Sequence, residues 1–599
     1  MTQFLTASKL ASACMTNNEK PAASGVILGL SALAHDSSAA LLSERGIVAA
    51  MEESKLIRAR DANGIPRRAI RFVLESAGCT GRDVECIAMA SRPLRAWARH
   101  AWLRTRMTPL APVSSGYYQT KALGELGREL NNQRLLHSLG DSPDVRVVCL
   151  DHHLCHAASA FFGSAAEHAV VLTLDEQGDG RAGSVAIGEG THLRTLQSIP
   201  FPHSLGWIFS QVTELIGFTP HRDEHKTQWL GLGGEPIFAK LFLEILRRKT
   251  GDPPRLRSSY FQPGYAGHVA FSEKFYRAIG ADPSLHKAAG NPQRATFEEP
   301  LRRQLAASVQ KACGTLAAEW GESWRKRARV RELCLAGGVF LNPVIVSEVE
   351  RSTGYDRVFV QPAAGNEGTA LGAAWYFRHH VHRAPRLAPP EHPYWGPSYS
   401  NQEIKIVLDN CKARYRFHDG EDQMLEETLR LLGAGKIVAW FQGAAEFGPR
   451  ALGNRSLLAS PWAPYVKENL NEYVKHREAY RPFGISILAE RAAEFFDATP
   501  SARFMATLSP AKPEAQRLLA DFLLPGDLVR LHVVERAANP TLWRLLERFG
   551  KSAPAPMLVN TSFNLFGEPL VVSPRDAVRS YFCSGIDALV VGRFSLTKS

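Results

Sequence analysis

A short apolar strand that leads into a polar, glycine-bearing turn and two further strands occurs twice in this chain. That repetition constrains the fold more than any other feature. Gly25–Ser31 (GVILGLS) reads as a buried strand. It is followed by His35–Asp36–Ser37–Ser38, a second apolar run at Ala39–Leu42, a turn at Arg45–Gly46 and a third strand at Ile47–Met51. Helical periodicity then covers Arg67–Gly78. The unit recurs as strand Ala169–Leu174, turn Asp175–Gly180, strands Ser184–Ile187 and Leu193–Ser198, and helix Leu205–Ile216. Leu333–Gly338 and Arg357–Gln361 read as further strands, each ahead of a helix, as in a wound α/β domain.

At 599 residues the chain is too long for one core. Five prolines between Pro385 and Pro397 mark a linker, placed at 385–399. A new α/β alternation follows: helix Asp422–Leu432, strand Lys436–Phe441, strand Asp527–Val534, helix Thr541–Phe549, and strands Pro556–Asn560 and Ala588–Val591. The expected organisation is a tail over 1–24, a first domain over 25–384 and a second over 400–599. Strand, turn, strand, turn, strand, helix is how an actin/Hsp70/sugar-kinase (ASKHA) nucleotide-binding half begins.

Hydrophobic content of 45% and charged content of 22% are those of a globular protein. No apolar run approaches the roughly 18 residues of a membrane helix, and Lys9 interrupts the short apolar stretch Phe4–Cys14. Nine cysteines without CxxC spacing fit reduced thiols in a cytoplasmic enzyme. The net charge of +12 favours anionic partners: nucleotides, phosphorylated metabolites or nucleic acid. The basic residues fall in phosphate-binding motifs and scattered helices, which argues against a nucleic-acid partner. The basic, Trp-containing stretch Arg92–Leu135 reads as a solvated helical hairpin or as a wall of an acceptor pocket.

Two sets of residues carry chemistry. His152 and His156 stand four apart, so on a helix both imidazoles share one face and can reach one metal ion. Asp175 ends the next strand and opens the turn LDEQGDG, in which Gly178 and Gly180 permit close approach of a phosphate. LAGGVFLN, with Gly337, Gly338 and Asn342, and PAAGNEGTA, with Gly365, offer backbone amides ahead of helices as a nucleotide site. The second set lies after the linker, in FGPRALGNRS, KHREAYRPFG, LVRLHV and NTSFNLFGEP. There arginine forks, a lysine, hydroxyls and amides sit beside Gly and Pro turns, as recognition of a small polyanion requires.

AHDSSAALL, HHLCHA, LDEQGDG, DEHKTQWLGLGGEP, CLAGGVFLN and QPAAGNEGTALGAA resemble, in order, the motifs of the NodU/CmcH carbamoyltransferase family, which includes the tobramycin-type antibiotic carbamoyltransferases. The resemblance covers nearly the whole chain beyond residue 24. It implies that His152, His156 and Asp175 bind Fe(II) or a similar divalent ion and that His35 faces the transfer site as a catalytic group. Lys226 lies in a family motif without an assigned role. The family commonly has Asp where this chain has Asn366, the expected fourth ligand. An amide oxygen there carries no charge, so metal is expected to be held more weakly.

Lys475-x-Arg477 together with Ser562-x-Asn564 resembles the YrdC-like fold. The resemblance implies that Arg450, Lys475, Arg481, Arg530, Asn560 and Ser562 bind ATP, with Mg(II), and carbamoyl phosphate, Arg450 and Lys475 taking part in catalysis. Arg455, Arg477 and Asn564 share the same motifs. The implied reaction forms carbamoyl-adenylate and transfers its carbamoyl group to a hydroxyl of a small metabolite or sugar. The competing readings are a kinase or ATPase of the same superfamily, a threonylcarbamoyl-adenylate enzyme that modifies tRNA, and a nucleotide-binding protein that has lost its metal site.

Overall fold

The computed structural model describes residues 25–32, 36–60, 62–92, 145–246, 249–263, 269–284 and 297–598. His35, the proposed tail and nearly all of the Arg92–Leu135 stretch lie outside the described residues.

The first sheet contains β1 (Val26–Ser31), β2 (Ser38–Ser43), β3 (Gly46–Glu52), β4 (Val84–Met89) and β5 (Arg146–Cys149), in the order β3-β2-β1-β4-β5. β1 and β2, and β2 and β3, pair antiparallel; β4 lies parallel to β1 and β5 parallel to β4. The second sheet contains β6 (His168–Gly178), β7 (Arg181–Glu189) and β8 (His192–Pro200). The short hairpin β9 (Phe261–Pro263) and β10 (Val269–Phe271) stands apart, and β11 (Glu332–Ala336) and β12 (Arg357–Val360) complete the second sheet. Its order, β12-β11-β6-β7-β8, and its strand senses repeat those of the first sheet. The duplication expected from the sequence is therefore a duplication of topology.

Helix His152–Gly163 is capped by Asp151, whose carboxylate accepts from the Leu154 amide at 3.2 Å, and is buried almost all round. Helix Thr369–Trp375 crosses it at glycine contact: a Cβ on Gly372 would lie 1.8 Å from the Cys155 carbonyl oxygen. On its other side, a Cβ on Gly29 would lie 2.0 Å from the Ala370 oxygen. These close approaches fix the two helices between the sheets. The 30-residue helix Glu299–Ala328 covers the second sheet and buries Leu305, Val309, Leu316 and Trp320. No reading of the sequence had placed it.

The third sheet has nine strands: β13 (Arg416–Phe417), β14 (Val438–Phe441), β15 (Arg455–Ala459), β16 (Gly484–Leu488), β17 (Ser509–Pro510), β18 (Leu528–Val534), β19 (Met557–Ser562), β20 (Ala588–Val591) and β21 (Phe594–Thr597), ordered β13-β21-β20-β14-β15-β19-β16-β18-β17. Gly484 pairs with Arg530 on one side and with Asn560 on the other. Residues in register share a face, so Arg530 and Asn560 flank a position without a side chain.

The proline-rich segment is extended, yet it is bonded along its length to both halves. Arg386 donates to the carbonyls of Phe161 and Ser164, each at 2.9 Å. The Trp395 carbonyl accepts from Ala50, Pro393 from Phe447 and Pro397 from Ala445, at 2.7 to 3.1 Å. The halves also share a polar seam. Thr499 and Thr507 donate to Glu350, and Arg58 pairs with Glu568 at 2.9 Å.

Candidate functional site: a His–His–Asp cluster and a buried cation cluster

His152 and His156 sit on one face of their helix and meet Asp175 near the end of β6. The His152 and His156 Nε2 atoms are 3.1 Å apart, and Asp175 Oδ2 lies 3.2 Å from the first and 3.4 Å from the second. The other Asp175 oxygen is fixed by the amides of Glu176, at 2.8 Å, and Gly338, at 3.3 Å. Burial works against an ionised Asp175, but hydrogen bonds to His152 and His156 hold its carboxyl well below the usual range. Asn366 joins the group through a side-chain hydrogen bond with His156. Among the described residues this is the one set of three His, Cys, Asp or Glu ligand atoms close enough to share a metal ion.

Two of the glycines expected to line a nucleotide site, Gly178 and Gly338, pack against the cluster. A Cβ on Gly178 would lie 1.9 Å from the His152 ring, and one on Gly338 would lie 2.8 Å from Asp175 Oδ1. Gly337, at φ 102°, turns the chain where a Cβ would lie 2.1 Å from the Leu174 oxygen. Gly180, at φ 74°, closes the turn after β6. A Cβ on Gly365 would lie 2.5 Å from the Glu367 carboxylate. Asn342 caps helix Pro343–Ser352 and donates to Gln310 at 3.0 Å.

Glu367 is buried, with Asp36 and Glu52 as neighbouring carboxylates. Burial, with those two neighbouring carboxylates, raises its pKa to about 8. Its charge is also felt by Arg450, whose guanidinium spans the halves by donating to Leu341 O at 2.8 Å and to Met505 O. Beyond Arg450 lies the basic group. Lys475 Nζ donates to the Ser562 carbonyl, to Asn564 Oδ1 at 2.8 Å and to Asn564 O at 3.0 Å. Arg477 donates to Asn471 Oδ1 at 2.8 Å and covers the Phe483 ring. Burial and neighbouring cations depress the group: Lys475 falls well below its usual value, Arg477 falls to about 9 and Arg530 to about 10. Arg530 Nε and Asn560 Oδ1 are buried without a hydrogen-bond partner. Arg481 is compensated by Glu478 at 3.7 Å.

Arg455 stands apart from this group. It is fully buried on the Phe441 ring, and its terminal nitrogens donate to the carbonyls of Gln442, Asn454, Pro397 and Gly443. It holds the loop that leads into β15. Glu446 does the same from within, its Oε1 accepting from the amides of Leu452, Asn454 and Arg455. Sequence reasoning missed Glu446, Glu52 and Lys55, because isolated charges carry no spacing signal.

Among the described residues, a duplicated α/β scaffold carries one His–His–Asp cluster and is joined to a mixed sheet that carries a buried cation cluster. The family comparison gives the chain its class. Residues 26–375 match the carbamoyltransferase N-terminus model and residues 429–598 the carbamoyltransferase C-terminus model, so the chain belongs to the carbamoyltransferase family. It is 32% identical to an uncharacterised protein of Synechocystis, over 96% of this chain and 97% of that one. It is 31% identical to nodulation protein NolNO of Sinorhizobium fredii, over 94% of this chain and 79% of that one. A 3'-hydroxymethylcephem-O-carbamoyltransferase of Amycolatopsis lactamdurans is 32% identical over 43% of this chain and 48% of its own. Among the described residues no helix is long and apolar enough to cross a membrane.

Proposed function

We propose that this carbamoyltransferase uses ATP and carbamoyl phosphate to make carbamoyl-adenylate at the cation cluster, and transfers the carbamoyl group to a hydroxyl of a small metabolite at the His–His–Asp cluster. The observation that carries the reading is the density of buried cations at Arg450, Lys475, Arg477, Arg481 and Arg530. Desolvated, mutually repelling cations are unfavourable in the empty protein, and polyanionic substrates relieve that cost.

Water releases inorganic phosphate from carbamoyl phosphate, leaving carbamate. A carbamate oxygen attacks the α-phosphorus of ATP, the bond to the β-phosphate breaks, and pyrophosphate leaves with its charge held by the cations. Lys475 is kept in place by Ser562 and Asn564, so its ammonium is preset toward the anions. Arg450 reaches both halves and orients the phosphates on the side of the second centre.

His152, His156 and Asp175, with Asn366 beside them, are the residues that would hold a divalent ion such as Fe(II). Three lone-pair donors converging within 3.4 Å fit such an ion. When bound, the ion supplies Lewis-acid polarisation of a carbonyl oxygen. The two amides on Asp175 hold that carboxylate oriented, and burial keeps water from the mixed anhydride. Incubation with ATP, carbamoyl phosphate and a panel of hydroxylated metabolites tests the reading. A carbamoyl mass gain on one acceptor, dependent on both co-substrates, supports it. Phosphoryl gain in its place contradicts it.

A further inference from the structure

Helix Glu224–Gly231 belongs to the half that carries the histidine cluster, yet its outer face looks onto the cation cluster of the other half. Its seat is fixed from behind, where a Cβ on Gly231 would lie 2.9 Å from the Ala306 carbonyl carbon. Three of its residues reach across. Lys226 Nζ lies 3.4 Å from Glu478 Oε1 and 3.3 Å from Asp223 Oδ1. Trp229, 5% exposed, lies under the Arg530 guanidinium, 5.8 Å from ring centroid to carbon. His225 faces Arg481, Arg60, Lys226 and Arg477.

Glu478 serves both Lys226 and Arg481, and Asp223 is the other nearby carboxylate. Among the described residues, these two carboxylates against this many cations leave an excess of positive charge between the halves. The buried Arg530 Nε without an acceptor adds a donor to it.

We propose that helix Glu224–Gly231 is the far wall of the cation cluster, so that a phosphate-type anion held by Lys475, Arg477, Arg481 and Arg530 is also contacted by His225 and Lys226, and its binding clamps the two halves together. This rests on the reading of the cluster as the phosphate-binding centre. It makes one anion a ligand of both halves, and so links occupancy of one centre to the position of the half that carries the other.

The arrangement has a proton signature. In the empty protein burial and the facing cations hold the His225 imidazole at about 2, so it is neutral at pH 7. An anion among those cations removes their repulsion, and the imidazole takes up a proton to donate to a phosphate oxygen. Binding therefore consumes a proton near neutral pH and weakens as pH rises.

Titration calorimetry of the full chain with inorganic pyrophosphate, at pH 7 in two buffers of different ionisation enthalpy, tests this. Wild type is expected to bind with net proton uptake. His225→Gln is expected to bind about tenfold more weakly with that uptake reduced, and Lys226→Met about tenfold more weakly with a shallower salt dependence. Lys226→Arg retains the charge and is expected to bind as wild type does, which separates charge from folding. If His225→Gln and Lys226→Met match wild type in affinity and proton uptake while Lys475→Met binds poorly, the helix is no part of the site, though the cation reading stands. If wild type binds no pyrophosphate, both fall.

Discussion

Lys55 Nζ donates to the Gly448 carbonyl at 2.7 Å, joining residues 393 apart in sequence. The same ammonium reaches the Glu446 carbonyl at 2.8 Å and Glu52 Oε1 at 2.7 Å, while Glu52 Oε1 accepts from the Gly448 amide. This buried knot ties the edge of the first sheet to the loop that presents Arg450. Removing Lys55 strands an acid and two carbonyls. Lys55→Met is expected to cost about 3–5 kcal/mol, and Glu52→Gln combined with Lys55→Met less than the sum of the singles. Denaturant unfolding of the four proteins measures it; additive losses would count against a coupled knot.

Two buried arginines are expected to behave oppositely. Arg455→Met leaves the Gln442 and Gly443 carbonyls without their donor, takes one donor from the Asn454 and Pro397 carbonyls, and should cost about 3–5 kcal/mol. Arg530→Met removes a desolvated charge that Arg481 opposes. It should leave stability unchanged or raise it by about 1 kcal/mol, while weakening ATP binding at least about tenfold. Melting temperature and nucleotide titration, read together, separate the two roles.

How much of this was legible in the sequence depends on range. The apolar run Ala39–Leu42 and the Arg45–Gly46 turn specified a hairpin locally, and Ser38–Ser43 pairs antiparallel with Gly46–Glu52. The i, i+4 spacing of His152 and His156 carried directly into shared geometry. Asp175 was read as the start of a turn, whereas β6 runs on to Gly178, with the Asp175 carboxylate held by the amides of Glu176 and Gly338. Helix Glu299–Ala328 was invisible because much of its buried surface is Ala, Gly and Ser spread around the axis, with no apolar stripe to read. Lys55 and Glu52 gain meaning only across hundreds of residues, where no local pattern reaches.

Asn366 should set how firmly a metal is held. Replacing its amide with a carboxylate adds a charge beside His156, so Asn366→Asp is expected to tighten binding of a divalent ion about tenfold. His156→Ala should abolish it. Metal content after dialysis against a graded chelator checks both; equal tight occupancy of wild type and Asn366→Asp would sink the idea.

His532 predicts an acid-side loss of stability. Its Nδ1 accepts from Ser486 at 2.8 Å and from the Asn560 amide at 3.3 Å, and burial holds its pKa at about 3. The unfolded chain binds that proton near pH 6.5, so between those values the unfolded state holds more protons than the folded one. Stability then falls as pH drops below about 6.5, by up to about 1.4 kcal/mol per pH unit from this group. His532→Gln should flatten the slope by that amount, and urea unfolding between about pH 5 and pH 7 measures it.

The adenylate-forming step is the core of the account, and ATP–pyrophosphate exchange reads it without knowledge of the acceptor. Wild type is expected to exchange labelled pyrophosphate into ATP only when carbamoyl phosphate is present. His152→Ala, altered at the other centre, should retain exchange, and Lys475→Ala should lose it. Folded wild type that shows no carbamoyl-phosphate-dependent exchange would contradict the assignment.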